Sequence, residues 1–187
     1  MSDRLEAAAS GRAQCRACGA KIEKGALRFG AELPSAYGEG DGTSVYWFHP
    51  RCAALRQPER FAALLRQGEA AATLPEADRL LAEAEQGVAH PKLARLAGVE
   101  KASSGRARCR QCQEPIAGGA WRFKLSNFEQ SGFFAPLGFI HATCALPYFE
   151  IPDLAMLGER VRHTSPDLDA SALEQIFNPT GEALGAR

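Results

Sequence analysis

Long apolar runs are missing from this chain of 187 residues. The N-terminal segment Met1-Ser2-Asp3-Arg4-Leu5-Glu6 lacks the apolar stretch of a secretory signal. No stretch approaches the roughly 20 apolar residues that a membrane-spanning helix needs. We therefore expect an intracellular protein without membrane segments, in a compartment that keeps thiols reduced.

An excess of charge of one sign is also missing, because 22 basic residues balance 22 acidic ones. The balance is uneven along the chain: residues 1–57 and 101–150 are weakly basic, whereas residues 58–100 and 151–187 are acidic. A chain without a bulk positive field does not coat nucleic-acid duplexes tightly and non-specifically. Any nucleic-acid surface must therefore come from locally placed arginines.

Motifs of the common enzyme classes are missing as well. The chain has no phosphate-cradling glycine motif and no arrangement typical of an activated nucleophile. Its glycine clusters, at residues 38–42 and at Gly118-Gly119, are typical of turns. We therefore expect no catalytic activity from this chain.

What the chain does contain is one four-ligand pattern, present twice. A Cys-x2-Cys pair is followed by a His-x2-Cys pair after thirty residues in the first copy and twenty-eight in the second: Cys15, Cys18, His49 and Cys52, then Cys109, Cys112, His141 and Cys144. Three cysteines per copy cannot pair internally as disulfides, and a thioredoxin-like redox site would need a strand-then-helix context that is absent here.

Three thiolates and one imidazole fill all four positions around a tetrahedral Zn2+ ion and leave none for an activated water. The pattern therefore predicts two structural zinc ions, one per copy. A module of about 50 residues rarely builds a sufficient core without metal, so we expect zinc binding to be coupled to folding.

The spacing of apolar and turn residues predicts an α+β protein with two small zinc-stabilised modules, each a short antiparallel sheet plus a helix. We divide the chain into a polar leader at 1–11, the first finger at 12–57, a helical spacer at 58–103, the second finger at 104–150 and a C-terminal helical tail at 151–187. In the spacer, prolines predict helices from Pro58, Pro75 and Pro91, the last reaching Gly98. The tail helix is predicted from Pro166 to Phe177, with Ser165 or Ser171 as its cap.

The flanks of the two patterns also match each other. Ser10-Gly11-Arg12-Ala13-Gln14-Cys15 returns as Ser104-Gly105-Arg106-Ala107-Arg108-Cys109, and an arginine follows the second cysteine by ten residues in both copies. Together with Trp47-Phe48-His49-Pro50-x-Cys52, these residues resemble the zinc finger of poly(ADP-ribose) polymerases, which also occurs at the front of a vertebrate DNA ligase. The resemblance implies recognition of DNA strand breaks, through the phosphate backbone near an end and a loop side chain stacked on an exposed base pair.

Carried over by position, the resemblance implies phosphate contacts from Arg12 and Arg106, before the first ligand, and from Arg28 and Arg122, on the first strand. Arginine's planar fork suits such contacts. Alternatively, these arginines are solvated, or Arg12 and Arg106 brace the zinc knuckle. Arg108 is a further candidate for DNA contact. Candidate stacking residues are Phe133 and Phe134 in the second finger and Tyr37 in the first. The alternative for the phenylalanines is burial against the finger's own small sheet.

The sequence thus predicts a DNA-binding protein that recognises breaks, nicks or ends without reading base sequence, in the DNA damage response. Its location would be DNA-associated, in a nucleoid or a nucleus. The alternative from another class is a zinc-stabilised adaptor whose acidic helical segments, 58–100 and 151–187, bind a partner protein. A nuclease is disfavoured because closed zinc sites cannot activate water.

Overall fold

The computed structural model describes residues 3–34, 42–68, 72–129 and 131–178. The chain divides into two compact units, and each contains one of the ligand patterns. Unit 1 comprises Met1–Ala94 together with Asn127–Ala135, and unit 2 comprises Arg95–Ser126 together with Pro136–Arg187. The tip of the second repeat's hairpin therefore belongs to the unit that is built around the first repeat.

The sheet of unit 1 has three antiparallel strands in chain order: β1 (Arg4–Ala7), β2 (Leu27–Pro34) and β3 (Thr43–Phe48). The two inner strands form where sequence alternation and aromatic content predict them. The segment expected to be a polar leader instead supplies β1, whose four residues pair with Ala7 opposite Leu27 and Arg4 opposite Gly30. Four residues are too few for a periodic signal, so only the partner strand defines β1 as a strand.

Among the described residues, the sheet is followed by α1 (Pro50–Arg56), α2 (Pro58–Arg66) and α3 (Ala77–Ala89), and α3 packs against α1 and α2. Proline stands in the first turn of α1 and of α2, where its fixed φ favours helix and its missing N–H costs nothing. Phe61 of α2 reaches the sheet, and its ring meets that of Phe29 edge-on at 5.5 Å. The predicted helices from Pro58 and Pro75 are thus present, the second between Ala77 and Ala89.

The third predicted spacer helix, from Pro91 to Gly98, is wrong. Pro91–Arg95 forms a short 3-10 turn, and the chain then enters strand β4 (Leu96–Lys101). Gly98 has a φ of 148°, which no α-helix accommodates, and the strand pairing shifts register between Leu96 and Gly98. Pairing with a distant strand overrides the local helical pattern.

That partner is β5 (Trp121–Phe128), the middle strand of a second three-stranded sheet with the order β4-β5-β6, where β6 is Phe134–His141. In unit 2 the sheet residue Phe123 packs edge-on against Phe149, with ring centres 6.0 Å apart. Phe149 ends the short helix α4 (Ala145–Phe149), which follows a 3-10 turn at Ala142–Cys144.

The C-terminal part of unit 2 contains α5 (Ala155–Thr164), which was not predicted, and α6 (Ala170–Phe177). The predicted caps of α6, Ser165 and Ser171, are wrong because Asp169 occupies that position: its Oδ1 accepts a hydrogen bond from the Ala172 N–H at 2.7 Å. The predicted α+β class, with two small sheets each accompanied by helices, is confirmed. Within the described residues, no helix combines the length and apolar character needed to cross a bilayer.

Candidate metal centres and nucleic-acid interface

The ligands of the first group come from the Cys-x2-Cys turn, the residue after β3 and the first turn of α1. One donor atom from each of Cys15, Cys18, His49 and Cys52 lies within 4.8 Å of the others. His49 Nδ1 is 3.4 Å from Cys18 Sγ and 3.9 Å from Cys52 Sγ. A tetrahedral zinc ion with ordinary bond lengths requires ligand separations of about 3.5–3.8 Å. The donor set therefore fits Zn2+.

The second group repeats this geometry in unit 2 with Cys109, Cys112, His141 and Cys144. His141 Nδ1 lies 3.4 Å from Cys112 Sγ and 3.9 Å from Cys144 Sγ, the same distances as in the first group. The predicted zinc sites, one per repeat, are confirmed: each Cys3His group could hold a zinc ion. Both groups offer four protein ligands, so each is a closed, structural type of site.

The histidines are oriented by a second contact. His49 Nε2 is 3.3 Å from the Lys21 carbonyl oxygen, and His141 Nε2 is 3.1 Å from the Pro115 carbonyl oxygen. Donation of Nε2–H to a carbonyl leaves Nδ1 as the free lone pair, which is the nitrogen that faces the thiols. The carbonyl groups of Lys21 and Pro115, at equivalent positions in the two repeats, thus determine which ring nitrogen would bind metal.

The thiols of each group differ in acidity. Sharing a hydrogen bond with Cys52 lowers the pKa of Cys15 to about 4 and raises that of Cys52. In the second group, burial raises the pKa of Cys109, but backbone N–H groups of Cys112 and His141 more than offset this and leave it at about 7. Burial and the Cys109 thiolate raise the pKa of Cys144 to about 12. A divalent cation supplies the charge needed to deprotonate the remaining thiols.

Each repeat contains a partly buried ion pair that was not predicted. Arg28 Nη2 contacts Glu6 Oε1 at 2.6 Å, and its guanidinium stacks 3.5 Å from the centre of the Trp47 ring. In the second repeat Arg122 Nη2 contacts Glu100 Oε1 at 2.6 Å and lies 3.6 Å from the Phe139 ring centre. Only 11% of the Arg28 side chain and 9% of the Arg122 side chain are exposed.

These two arginines were predicted to contact phosphate. In the structure each is held between a carboxylate and an aromatic ring, and the hydrogen bond from Arg28 lowers the pKa of Glu6. Burial raises the pKa of Glu100, but the hydrogen bonds from Arg122 and Lys124 outweigh it and leave the pKa below its usual value. Both carboxylates therefore stay ionised at neutral pH, and each pair links the first two strands of its sheet. Phosphate contact by Arg28 or Arg122, which the resemblance implies, would require these ion pairs to open.

Arg12, Arg106 and Arg108 lie on the surface, as a phosphate-binding role requires. Arg108 Nη1 donates to the Gln113 carbonyl at 3.0 Å. Among the residues that the structure describes, Arg12 and Arg106 form no side-chain hydrogen bond or ion pair, which does not support the alternative that they brace the knuckle. Arg12 lines a cleft of about 400 Å³ together with Gln14, Arg16, Val45 and Trp47.

The candidate stacking residues differ in position. Phe133 is exposed at 44%, whereas Phe134 is half-buried in an aromatic cluster of unit 1, with its ring centre 4.9 Å from that of Phe128. The structure thus favours the burial alternative for Phe134. Tyr37 lies outside the described residues.

Sequence reasoning missed Glu6, Glu100, Arg4 and Arg16. A signal for the two glutamates was present, because they are separated by 94 residues, the same interval that relates the cysteine pairs and Arg28 to Arg122. Arg16 gave the same signal, because Arg110 lies 94 residues further on, whereas Arg4 has no counterpart at that interval. Arg4 bonds to Glu6 and lies 5.2 Å from the Trp47 ring centre, and Arg16 lies 5.1 Å from the Tyr46 ring centre. Their roles follow from the sheet, which places these aromatic residues beside them.

Comparison with known proteins agrees with this geometry. Residues 6–90 match the family described as the poly(ADP-ribose) polymerase and DNA-ligase Zn-finger region. A poly(ADP-ribose) polymerase of Sarcophaga peregrina is 28% identical over 141 residues, covering 67% of this chain. The matched part amounts to 14% of that polymerase.

The match begins at Glu6, within strand β1 of the segment that was expected to be a leader, and it extends through α3. The second repeat lies beyond this match, but it reproduces the ligand geometry and the glutamate–arginine–aromatic arrangement of the first. Residues 6–90 are therefore similar to the zinc-finger region of poly(ADP-ribose) polymerases and DNA ligases, and residues 96–144 repeat the ligand geometry found there.

Proposed function

We propose that this protein is a zinc-dependent DNA-binding protein that recognises strand breaks or ends through phosphate contacts and base stacking, and that it acts in the DNA damage response. It would act without catalysis of its own and would be located with DNA. The family match and the two closed Cys3His sites support zinc-stabilised binding modules.

The observation that carries the proposal is a cluster of arginines around Trp47 in unit 1. Arg4 and Arg28 lie against the Trp47 ring, while Arg12 and Arg16 line the cleft beside it. Glu6 is the carboxylate that bonds to the first two, so the cluster keeps an excess of positive charge. A local cluster of this kind suits phosphates on a broken strand, where arginine forks bind without reading bases.

The second repeat offers a similar but smaller set. Arg106 and Arg108 are exposed near its metal group, and Arg108 stands where the first repeat has Gln14. Each repeat thus offers only a few exposed arginines. Such small basic surfaces favour binding at a strand break or end over uniform coating of a duplex. The Sarcophaga peregrina relative is named for its polymerase activity, but the match covers only 14% of that protein, so no such activity is assigned to this chain.

A competition binding assay tests the proposal. Zinc-loaded protein is bound to a labelled nicked duplex and challenged with nicked, gapped, blunt-ended or covalently closed circular DNA at equal mass. Broken DNA should compete at far lower concentrations than closed circles. Equal competition by closed circles would refute recognition of breaks.

The adaptor alternative draws on the acidic character of the helical segments. In the structure, several of these carboxylates are bound internally: Glu83 bonds to Arg51 at 2.9 Å and Glu85 to Arg66 at 2.9 Å. Fewer charges are thus available for a partner than the sequence suggests. Tight binding to a partner protein, combined with no measurable affinity for any DNA form, would favour the adaptor.

A further inference from the structure

Phe133 is exposed although the aromatic residues next to it are packed. Among the described residues, the large apolar side chains with high exposure are Phe133, at 44%, and Leu146, at 37%. Phe128 and Phe134, at the ends of the same hairpin, pack into the core of unit 1, where Phe128 meets Phe48 edge-on at 5.5 Å. An exposed ring beside packed ones is a candidate contact for a ligand.

The turn that carries Phe133 is held in place. The Gly132 N–H donates to the Glu129 carbonyl at 2.9 Å, and the Glu129 N–H donates to the Phe133 carbonyl at 2.9 Å. The Tyr46 hydroxyl donates to the Ser131 carbonyl at 3.2 Å. Gly132 has a φ of 78° and lies so close to the Tyr46 ring that any side chain would overlap it. Phe133 is therefore presented on an anchored turn.

Arg16 connects this ring to the arginine cluster of the first repeat. Its guanidinium carbon lies 5.1 Å from the centre of the Phe133 ring and 5.1 Å from the centre of the Tyr46 ring. Arg16 is exposed and lines the same cleft as Arg12. An aromatic surface for a base thus adjoins two guanidinium groups that suit phosphates.

We propose that the hairpin tip of the second repeat completes the DNA-end site of the first repeat. Phe133 stacks on the terminal base pair, Arg16 positions that ring and contacts the terminal phosphate, and Arg12 binds the next phosphate along the strand. This inference rests on the proposed function. It assigns the stacking group of one module to the neighbouring copy in the chain.

The second repeat shows why the arrangement is specific to the first. Arg110 occupies the position of Arg16, and Gly138 occupies that of Tyr46. A side chain added at Gly138 would lie 3.5 Å from Cγ of Arg110, so this arginine faces glycine where Arg16 faces a ring. Arg110 therefore serves as the matched control for Arg16.

The test uses the full-length, zinc-loaded chain and a hairpin-capped duplex with one open blunt end that carries 2-aminopurine in the terminal pair. Phe133→Ala should weaken binding to this end about tenfold and abolish the change in 2-aminopurine fluorescence. Phe133→Trp should restore both. Leu146→Ala, which removes the comparably exposed leucine, should change neither.

A double-mutant cycle tests the role of Arg16. Arg16→Ala and Phe133→Ala should be coupled by a factor of about 2–5, because loss of the guanidinium also loosens the ring, whereas Arg110→Ala and Phe133→Ala should act independently. If the wild-type chain prefers open ends but Phe133→Ala binds equally well, the composite site is refuted while DNA-end binding stands. If the wild-type chain shows no preference for open ends, the proposed function itself fails.

Discussion

Replacement of Arg122 by alanine separates its structural role from a role in DNA binding. Arg122 Nε and Nη2 bond to Glu100 at 3.1 and 2.6 Å, and the guanidinium lies 3.6 Å from the Phe139 ring centre. Hydrogen bonds between charged groups contribute about 1.5–3 kcal/mol, and a cation–π contact about 0.5–2 kcal/mol. Glu100 would keep Lys124 at 3.3 Å and access to water, because a third of its side chain is exposed.

Arg122→Ala should therefore lower the free energy of unfolding of unit 2 by about 2–4 kcal/mol, toward the lower end because Glu100 stays solvated. Arg106→Ala, at an exposed position, should change it by less than about 0.5 kcal/mol. Unfolding in urea is followed by the fluorescence of Trp121 in a Trp47→Phe background. Phenylalanine is tolerated at this position in the second repeat, where Phe139 aligns with Trp47.

In DNA binding we expect the larger effect from Arg106→Ala, whereas in stability we expect it from Arg122→Ala. Arg106→Ala should reduce the dependence of log K on log salt by about one, whereas Arg122→Ala should leave it nearly unchanged because Glu100 already neutralises that guanidinium. Equal losses of stability for the two variants would refute the bracing role of Arg122. A full unit of slope lost in Arg122→Ala would show instead that the ion pair opens to meet phosphate.

Further predictions concern metal, pH and the hairpin turn. Purified protein should contain two zinc ions per chain by elemental analysis, and a strong chelator should unfold both units, since zinc contributes about 10–16 kcal/mol per site to folding; retention of helical circular dichroism without metal would contradict this. The folded pKa of Glu100 lies below its ordinary value of 4.5, so its stabilisation is present above that pH and is lost as the pH falls through the lower folded value. Glu100→Gln should accordingly reduce the loss of stability below about pH 4.5. If urea unfolding at a series of pH values showed the same loss of stability in this variant as in the wild type, this contribution would be excluded. Gly132→Ala should destabilise unit 1 by more than the about 1 kcal/mol expected from a positive φ alone, whereas Gly25→Ala, at φ 83° with open space around it, should cost only that amount; equal thermal shifts for the two variants would argue against the packing of Gly132 on Tyr46.

Local features of this protein could be predicted from its sequence. The Cys-x2-Cys turns fix where two thiols point, and the inner strands contain the alternating and aromatic residues typical of strands. Ligands, zinc and the α+β class were therefore accessible without a structure. Proline in the first turn likewise predicted the starts of helices close to Pro58 and Pro75.

Features that depend on distant partners could not be predicted in this way. Strands β1 and β4 are defined by pairing with residues at least twenty positions away, and the local pattern around Pro91 favoured a helix. The contact of Ser131 with Tyr46 spans 85 residues of sequence. That contact helps to anchor the turn that carries Phe133, whereas Phe134 packs against Phe128, so residues that looked equivalent in the loop have different environments.

The difference between the two repeats has a cause at one strand position. Tyr46 and Gly138 both stand three residues before the metal-binding histidine, yet only tyrosine offers a ring and a hydroxyl to an incoming turn. Gly138 has a φ of 101°, a backbone conformation that a tyrosine would adopt only with strain. A substitution to tyrosine in the second repeat would therefore not create a second receiving surface. The duplicated modules are no longer interchangeable, since the first carries the surface that receives a hairpin tip and the second carries the tip that occupies it.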